Sequence, residues 1–201
     1  MTIGYSNESR KIAVDSNGNI FVLADVVSDY DPNGLITGST YHYTVILKYD
    51  LNGSLLNQVD INVNNHVNSG FTNYGAFGLE IDASQNIYIG YASYNTVSDY
   101  DVIVAKYTNN LSLLWTTTYP STRLDQGVSM AINSSSGNVF TVVKSTNTLG
   151  ITTYHVVKFS NTPVTASLIY SFETGTEVVH SMKYDGGGSR LCSWLQTYKR
   201  H

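Results

Sequence analysis

Apolar and polar positions repeat along this chain as one phrase: an apolar stretch, an Asp or Asn, a short polar turn and a second apolar stretch. Val14-Asp15-Ser16-Asn17-Gly18-Asn19-Ile20-Phe21-Val22 is matched by Ile81-Asp82-Ala83-Ser84-Gln85-Asn86-Ile87-Tyr88-Ile89. A third copy, Ile132-Asn133-Ser134-Ser135-Ser136-Gly137-Asn138-Val139-Phe140, carries one more turn residue. Each copy predicts strand, tight turn, strand, because Asn and Gly tolerate the positive φ that hairpin turns require. A second apolar phrase follows each: Val45-Ile46-Leu47-Lys48-Tyr49, Ile103-Val104-Ala105-Lys106-Tyr107 and His155-Val156-Val157-Lys158-Phe159. Turns at 50–53, 108–110 and 160–163 then lead into closing strands expected over 55–61, 113–119 and 168–172.

The second strand of each unit is apolar almost throughout, whereas the fourth alternates. A continuous apolar run predicts burial on both faces, and alternation predicts one wet face. Radial stacking of four-stranded sheets produces that gradient, so the expected fold class is an all-β propeller of four-stranded antiparallel blades, three complete and a fourth incomplete. The matching division of the chain is an N-terminal outer strand at 1–10, blade 1 at 11–62, an inserted connection at 63–76, blade 2 at 77–122, blade 3 at 123–175, and a partial blade 4 or tail at 176–201. Gly186-Gly187-Gly188-Ser189 reads equally as a linker. Such an array exposes blade faces and strand edges, so self-association or another chain is expected to cover them.

The phrases resemble the SBBP-type propeller repeat, with NHL-like repeats as the second choice because they share the apolar-Asp-x-x-Gly-Asn element. The best match runs from Ile81 to Trp115 and includes Asp101-Val102-Ile103-Val104-Ala105-Lys106 and Leu113-Leu114-Trp115; the first unit matches at 14–22 and 45–56 but lacks the Trp. The resemblance implies a propeller, commonly found in extracellular or surface proteins, and implies no reaction.

Composition narrows the classes. Charged residues are 13% of the 201 and the formal net charge is -4, which provides no basic field for a phosphate backbone, so nucleic acid is not an expected partner. A single cysteine, Cys192, leaves neither a disulfide framework nor a thiol zinc site. No stretch approaches the roughly 18 apolar residues of a membrane helix, and residues 1–11 lack the apolar centre of a leader, so membrane insertion is not expected.

Candidate chemistry is sparse. Asp29-Tyr30-Asp31-Pro32-Asn33-Gly34 fits the opening of a calcium loop, which makes Asp29, Asp31 and Asn33 a candidate Ca2+ site, but the twelfth position is Thr40. No other cofactor is expected. Asp15, Asp82, Asn133 and Asp185 share one register; a residue repeated at a strand end reads as a turn cap, since catalysis needs one asymmetric constellation. Lys48, Lys106 and Lys158 recur beside an aromatic, as stems lying on apolar surface with the ammonium in water. The histidines, His155 among them, show no metal spacing, and no nucleophile elbow or phosphate loop is present. Aromatic and amide-rich loops supply the ligand-binding candidates Tyr41, His42, Tyr43, Tyr74, Tyr91 and Tyr94, since aromatic faces stack on sugar rings and amides bond hydroxyls.

The function expected from these features is a non-catalytic scaffold or binding module presenting loops to protein or glycan partners, in an extracellular, cell-surface or virion-surface assembly. Two alternatives accompany it. One is a carbohydrate-active enzyme with Asp25, Asp29, Asp31 and Glu80 as first suspects; the other is a purely structural subunit.

Overall fold

The computed structural model describes residues 4–30, 36–65, 75–94, 100–119, 124–162, 164–173, 178–184 and 191–196. The chain is all-β. Strands β1 (Gly4–Val14), β2 (Ile20–Tyr30), β3 (Ile36–Tyr49) and β4 (Leu55–Asn65) form one four-stranded antiparallel sheet in chain order. Strands β5 (Gly78–Ile81), β6 (Ile87–Tyr94), β7 (Tyr100–Tyr107) and β8 (Leu113–Tyr119) pair antiparallel in the same way, as do β9 (Leu124–Asn133), β10 (Asn138–Thr146), β11 (Thr152–Asn161) and β12 (Val164–Glu173). A parallel bridge between Tyr100 and Leu124 links β7 to β9 and merges these two sets into one eight-stranded sheet. Strands β13 (Val178–Tyr184) and β14 (Leu191–Gln196) form a separate two-stranded sheet.

This arrangement corrects the expected fold class. Instead of three separate four-stranded blades and the start of a fourth around an axis, the strands among the described residues form sheets of four, eight and two strands, and none of these closes. The hydrophobic gradient misleads for a physical reason. It reports which strands are covered on both faces, and open sheets packed face to face cover their inner strands as fully as blades do.

Three buried clusters carry the packing. The first joins Phe21, Leu23 and Ile46 to Leu79, Ile87, Ile89 and Tyr107, so the four-stranded sheet lies against β5–β7. The second joins Phe77, Tyr88, Val102 and Val104 to Met130, Val139, Val157 and Phe159, which folds the eight-stranded sheet across its own middle. The third sets Val179 and Met182 of β13 against Ala131, Val142 and Tyr154. Burying a side chain of this size contributes about 1.5–3 kcal/mol, so these three seams outweigh any single polar contact.

The tight turns between first and second strands and between third and fourth strands lie at one end of the stack. The connections between second and third strands, and between successive units, lie at the other. Among the described residues no helix is long and apolar enough to cross a membrane.

Candidate functional site

At the end of the stack opposite the tight turns, a cavity of about 260 Å³ opens where the first strands of three successive units converge. Arg10 and Lys11 line it from β1, Gly75, Ala76 and Phe77 from the segment entering β5, and Gln126, Gly127 and Val128 from β9. One buried carboxylate organises its wall. Asp25, on β2 and only 3% exposed, accepts from Arg10 Nε at 2.7 Å, from Thr44 Oγ1 at 2.9 Å and from the Ala76 amide at 3.1 Å. The Ala76 bond fastens the segment before β5 to the first sheet. A Cβ on Gly75 would collide with the Asp25 carboxylate, so glycine is what lets the backbone come this close.

Phe77 closes the other wall. Its ring lies against Gly90 of β6 and Gly127 of β9, and a Cβ at either position would run into it. The second Arg10 nitrogen, Nη2, reaches Glu8 at 2.8 Å. Glu80 is partly buried near Lys11; burial pushes its carboxyl above the usual range and Lys11 opposes that rise. Arg10 is thus paired with Glu8 and Asp25, and Lys11 lies within electrostatic reach of Glu80, so both cations of the lining have carboxylates beside them.

Of the ligand-binding candidates, Tyr41, His42 and Tyr43 lie on β3, and Tyr91 and Tyr94 on β6, in strands and not in loops. Tyr43 is partly buried against Ala24, Val26 and Val45, and burial, aided by the Asp60 charge, raises its pKa. Because Tyr43 pairs with Val26 while its neighbour Thr44 pairs with Asp25, it occupies the opposite face from the Asp25 cluster. Tyr91 is buried in the first core cluster, which raises its pKa despite a hydrogen bond involving Thr116. Tyr74, Asp31 and Asn33 lie outside the described residues, as does the side chain of Asp29, whose backbone belongs to β2. The calcium reading therefore falls on positions that are not described; among the described residues no group of three or more His, Cys, Asp or Glu is placed to hold a metal.

Sequence reasoning missed Arg10, Lys11 and Gln126. The available signal was an adjacent basic pair on a first strand, in a chain with few charges.

The opposite end is built from a repeated clasp. Asp15 Oδ1 accepts from the amides of Asn17 at 2.9 Å and Asn19 at 2.8 Å, the turn cap expected from its register. Its Oδ2 accepts from the side chains of Asn19 at 2.7 Å and Asn109 at 2.9 Å, and Asn109 belongs to the next unit. Lys48 Nζ donates to the same Asn109, to Oδ1 at 2.6 Å and to its carbonyl at 3.1 Å. One unit later Asp82, Lys106 and Asn161 stand at the same positions, but there the lysine reaches the carboxylate itself: Lys106 Nζ lies 3.5 Å from Asp82 and 3.4 Å from Asn161 Oδ1, and Trp115 Nε1 donates to that oxygen at 3.1 Å. Tyr88 adds a 3.0 Å bond to Asp82.

The lysines depart from expectation. Lys48 and Lys106 are only 7% and 8% exposed, and their ammonium groups sit 5.5 Å from the Phe21 ring centroid and 4.9 Å from that of Tyr88. They join units together and do not point into water. Burial works against ionisation of Asp15 and Asp82, but hydrogen bonds from Asn19 and Asn109, and from Asn86 and Tyr88, outweigh it and hold both carboxyls below their ordinary range.

No known family model and no curated protein matches the chain. Its likeness to the SBBP-type repeat is therefore a likeness of phrases.

Proposed function

We propose that the chain is a non-catalytic β-sheet scaffold that binds a glycan through the end carrying the cavity, within a larger surface assembly. The observation that carries this reading is the cavity itself, with largely polar walls drawn from three units. At about 260 Å³ it falls just below the range of drug-sized pockets, roughly 300–1,000 Å³, and suits a group the size of a sugar ring. Arg10, Lys11 and Gln126 supply donors and one amide acceptor for hydroxyls. Asp25, a first suspect for acid–base chemistry, is occupied by Arg10, Thr44 and the Ala76 amide, which suits a carboxylate that holds the wall in place.

The test is a glycan array probed with the purified chain and with its Gln126→Ala variant, followed by product analysis of any glycan retained. The expected result is retention without cleavage, lost in Gln126→Ala. Cleavage of the retained glycan, or retention that ignores Gln126, overturns the reading.

A structural-subunit reading has its own support. The fourth strand of each unit is a sheet edge with an adjacent exposed apolar pair: Leu55-Leu56, Leu113-Leu114 and Leu168-Ile169. Apolar edges of that kind favour pairing with other chains.

A further inference from the structure

The strands that flank the cavity bulge where they meet it. The ladder between β1 and β2 skips Arg10, and the ladder between β9 and β10 skips Val128. Both residues belong to the lining. A bulge turns one residue out of the regular pleat and is a common device for aiming a side chain at a site.

Between the two bulges the floor is fixed. Asp25 accepts from the Ala76 amide at 3.1 Å, the Gly90 carbonyl accepts from the Phe77 amide at 2.9 Å, and the Phe77 ring rests on Gly90 and Gly127. A ligand entering here meets a surface already formed, which lowers the ordering cost of binding.

The lining divides by chemistry. The flanks contribute polar ends, Arg10 and Lys11 from β1 and Gln126 from β9, whereas the floor between them contributes carbon, Ala76 and Phe77. Arg10 commits Nε to Asp25 and Nη2 to Glu8, leaving Nη1 without a partner among the described residues. The side chains of Lys11 and Gln126 likewise make no hydrogen bond to a described residue. Arginine and lysine only donate, so Gln126 Oε1 is the one side-chain acceptor of this set.

Resting on the glycan reading above, we infer that the sugar taken by the cavity is an N-acetylated hexosamine, selected over its parent hexose by the acetamido group. That group is the substituent that uses flanks and floor together. Its carbonyl accepts from Arg10 Nη1, its N–H donates to Gln126 Oε1, and its methyl, which needs no partner, lies against Phe77. A ring hydroxyl then accepts from Lys11. A hydroxyl in place of the acetamido group would leave the Phe77 floor facing a polar atom that it cannot pair. An acetylated lysine side chain carries the same group without hydroxyls and would leave the Lys11 ammonium without an acceptor, so the sugar is favoured over a modified peptide.

The test is an NMR titration of the full chain with methyl glycosides in matched pairs: N-acetylglucosamine with glucose, and N-acetylgalactosamine with galactose. The N-formyl glucosamine glycoside and acetyl-lysine methylamide are further arms. The expected result is at least about tenfold tighter binding of the acetylated member of a pair, with the formyl sugar between the two. Amide shifts should centre on Ala76, Phe77 and Gly127, and saturation of the Phe77 ring should pass to the acetamido methyl before any other ligand proton. Phe77→Leu is expected to bring the acetyl and formyl sugars together; should that variant fail to fold, the comparison of these two sugars on the native chain asks the same question. Equal binding of acetylated and parent sugars overturns the inference and leaves the glycan reading standing. Shifts confined to other parts of the chain, equal binding of the acetyl and formyl sugars, or acetyl-lysine binding as tightly as the acetylated sugars, also overturn it. Failure of every sugar to bind overturns it too, and together with an empty glycan array removes the glycan reading as well.

Discussion

Asn109 shows how much one neutral side chain carries in this protein. It donates to Asp15 and accepts from Lys48, so its loss leaves a buried ammonium and a buried carboxylate oxygen each short of a partner. Neither is left wholly unpaired, because Lys48 keeps the Asn109 carbonyl at 3.1 Å and Asp15 Oδ2 keeps the Asn19 side chain at 2.7 Å. Asn109→Leu is therefore expected to lower stability by about 1–3 kcal/mol in urea unfolding. Lys48→Met removes the charge together with its need and is expected to cost clearly less. The reverse ranking would show that the ammonium, and not the amide, is the keystone.

The same residues set the acid limit. Asp15 and Asp82 have folded pKa values below the ordinary 3.8, so their contribution is fully present above that value and is lost as pH falls through the folded values. Asp15→Asn with Asp82→Asn is expected to flatten the fall in melting temperature below about pH 4. Asn133 shows that a neutral cap suffices for the turn, though its bonds to the Ser135 and Ser136 amides, at 3.1 and 3.2 Å, are longer than those of Asp15. Glu80 has the opposite sign: burial raises its pKa, so ionisation lowers stability as pH rises past the usual carboxylate range. Glu80→Gln is expected to raise the melting temperature at pH 7 and to leave it unchanged at acid pH.

At the scale of elements, the seam between β6 and β9 depends on the Phe77 ring resting on Gly90 and Gly127. Gly127→Ala is expected to cost about 1–3 kcal/mol, the usual range for overpacking. Phe77→Leu in the same chain should recover part of that loss, and a double-mutant cycle in urea tests the coupling; additive losses would show that the two do not meet. This seam also marks what could be read from residues alone. The Asp, turn and apolar phrases announced hairpins, because a turn cap and a period-two pattern are local. Whether two hairpin sets share one sheet depends, among the described residues, on the Tyr100–Leu124 bridge, which no local pattern encodes. The cavity was invisible for the same reason, since Arg10, Ala76 and Gln126 are distant in sequence and none belongs to a motif. Gln85 shows local reading at its limit: it holds φ at 65° where the first copy has Gly18, and its side chain accepts from the Ser16 amide of the preceding unit at 2.9 Å. A strained backbone is retained there by a contact between units.

For the whole molecule, the outermost face of the first unit decides how the chain behaves alone. Its positions equivalent to the buried Leu79 and Met130, to the half-buried Ile81 and Ile132, and to the bridging Asn109 are Ile12, Val14 and Leu51, which are 69%, 59% and 73% exposed. Covering three such side chains contributes about 5–9 kcal/mol at most. Association itself costs an estimated 4–15 kcal/mol, so a face of this size holds copies together only weakly. The chain is therefore expected to be monomeric when dilute and to self-associate reversibly as concentration rises toward the millimolar range. Sedimentation equilibrium should show that trend, and Ile12→Lys with Val14→Lys should abolish it without moving the urea midpoint, because neither side chain belongs to the core. A chain that stays monomeric at every concentration would remove this face as a contact surface, and with it the apolar argument for the structural-subunit reading at that end of the stack.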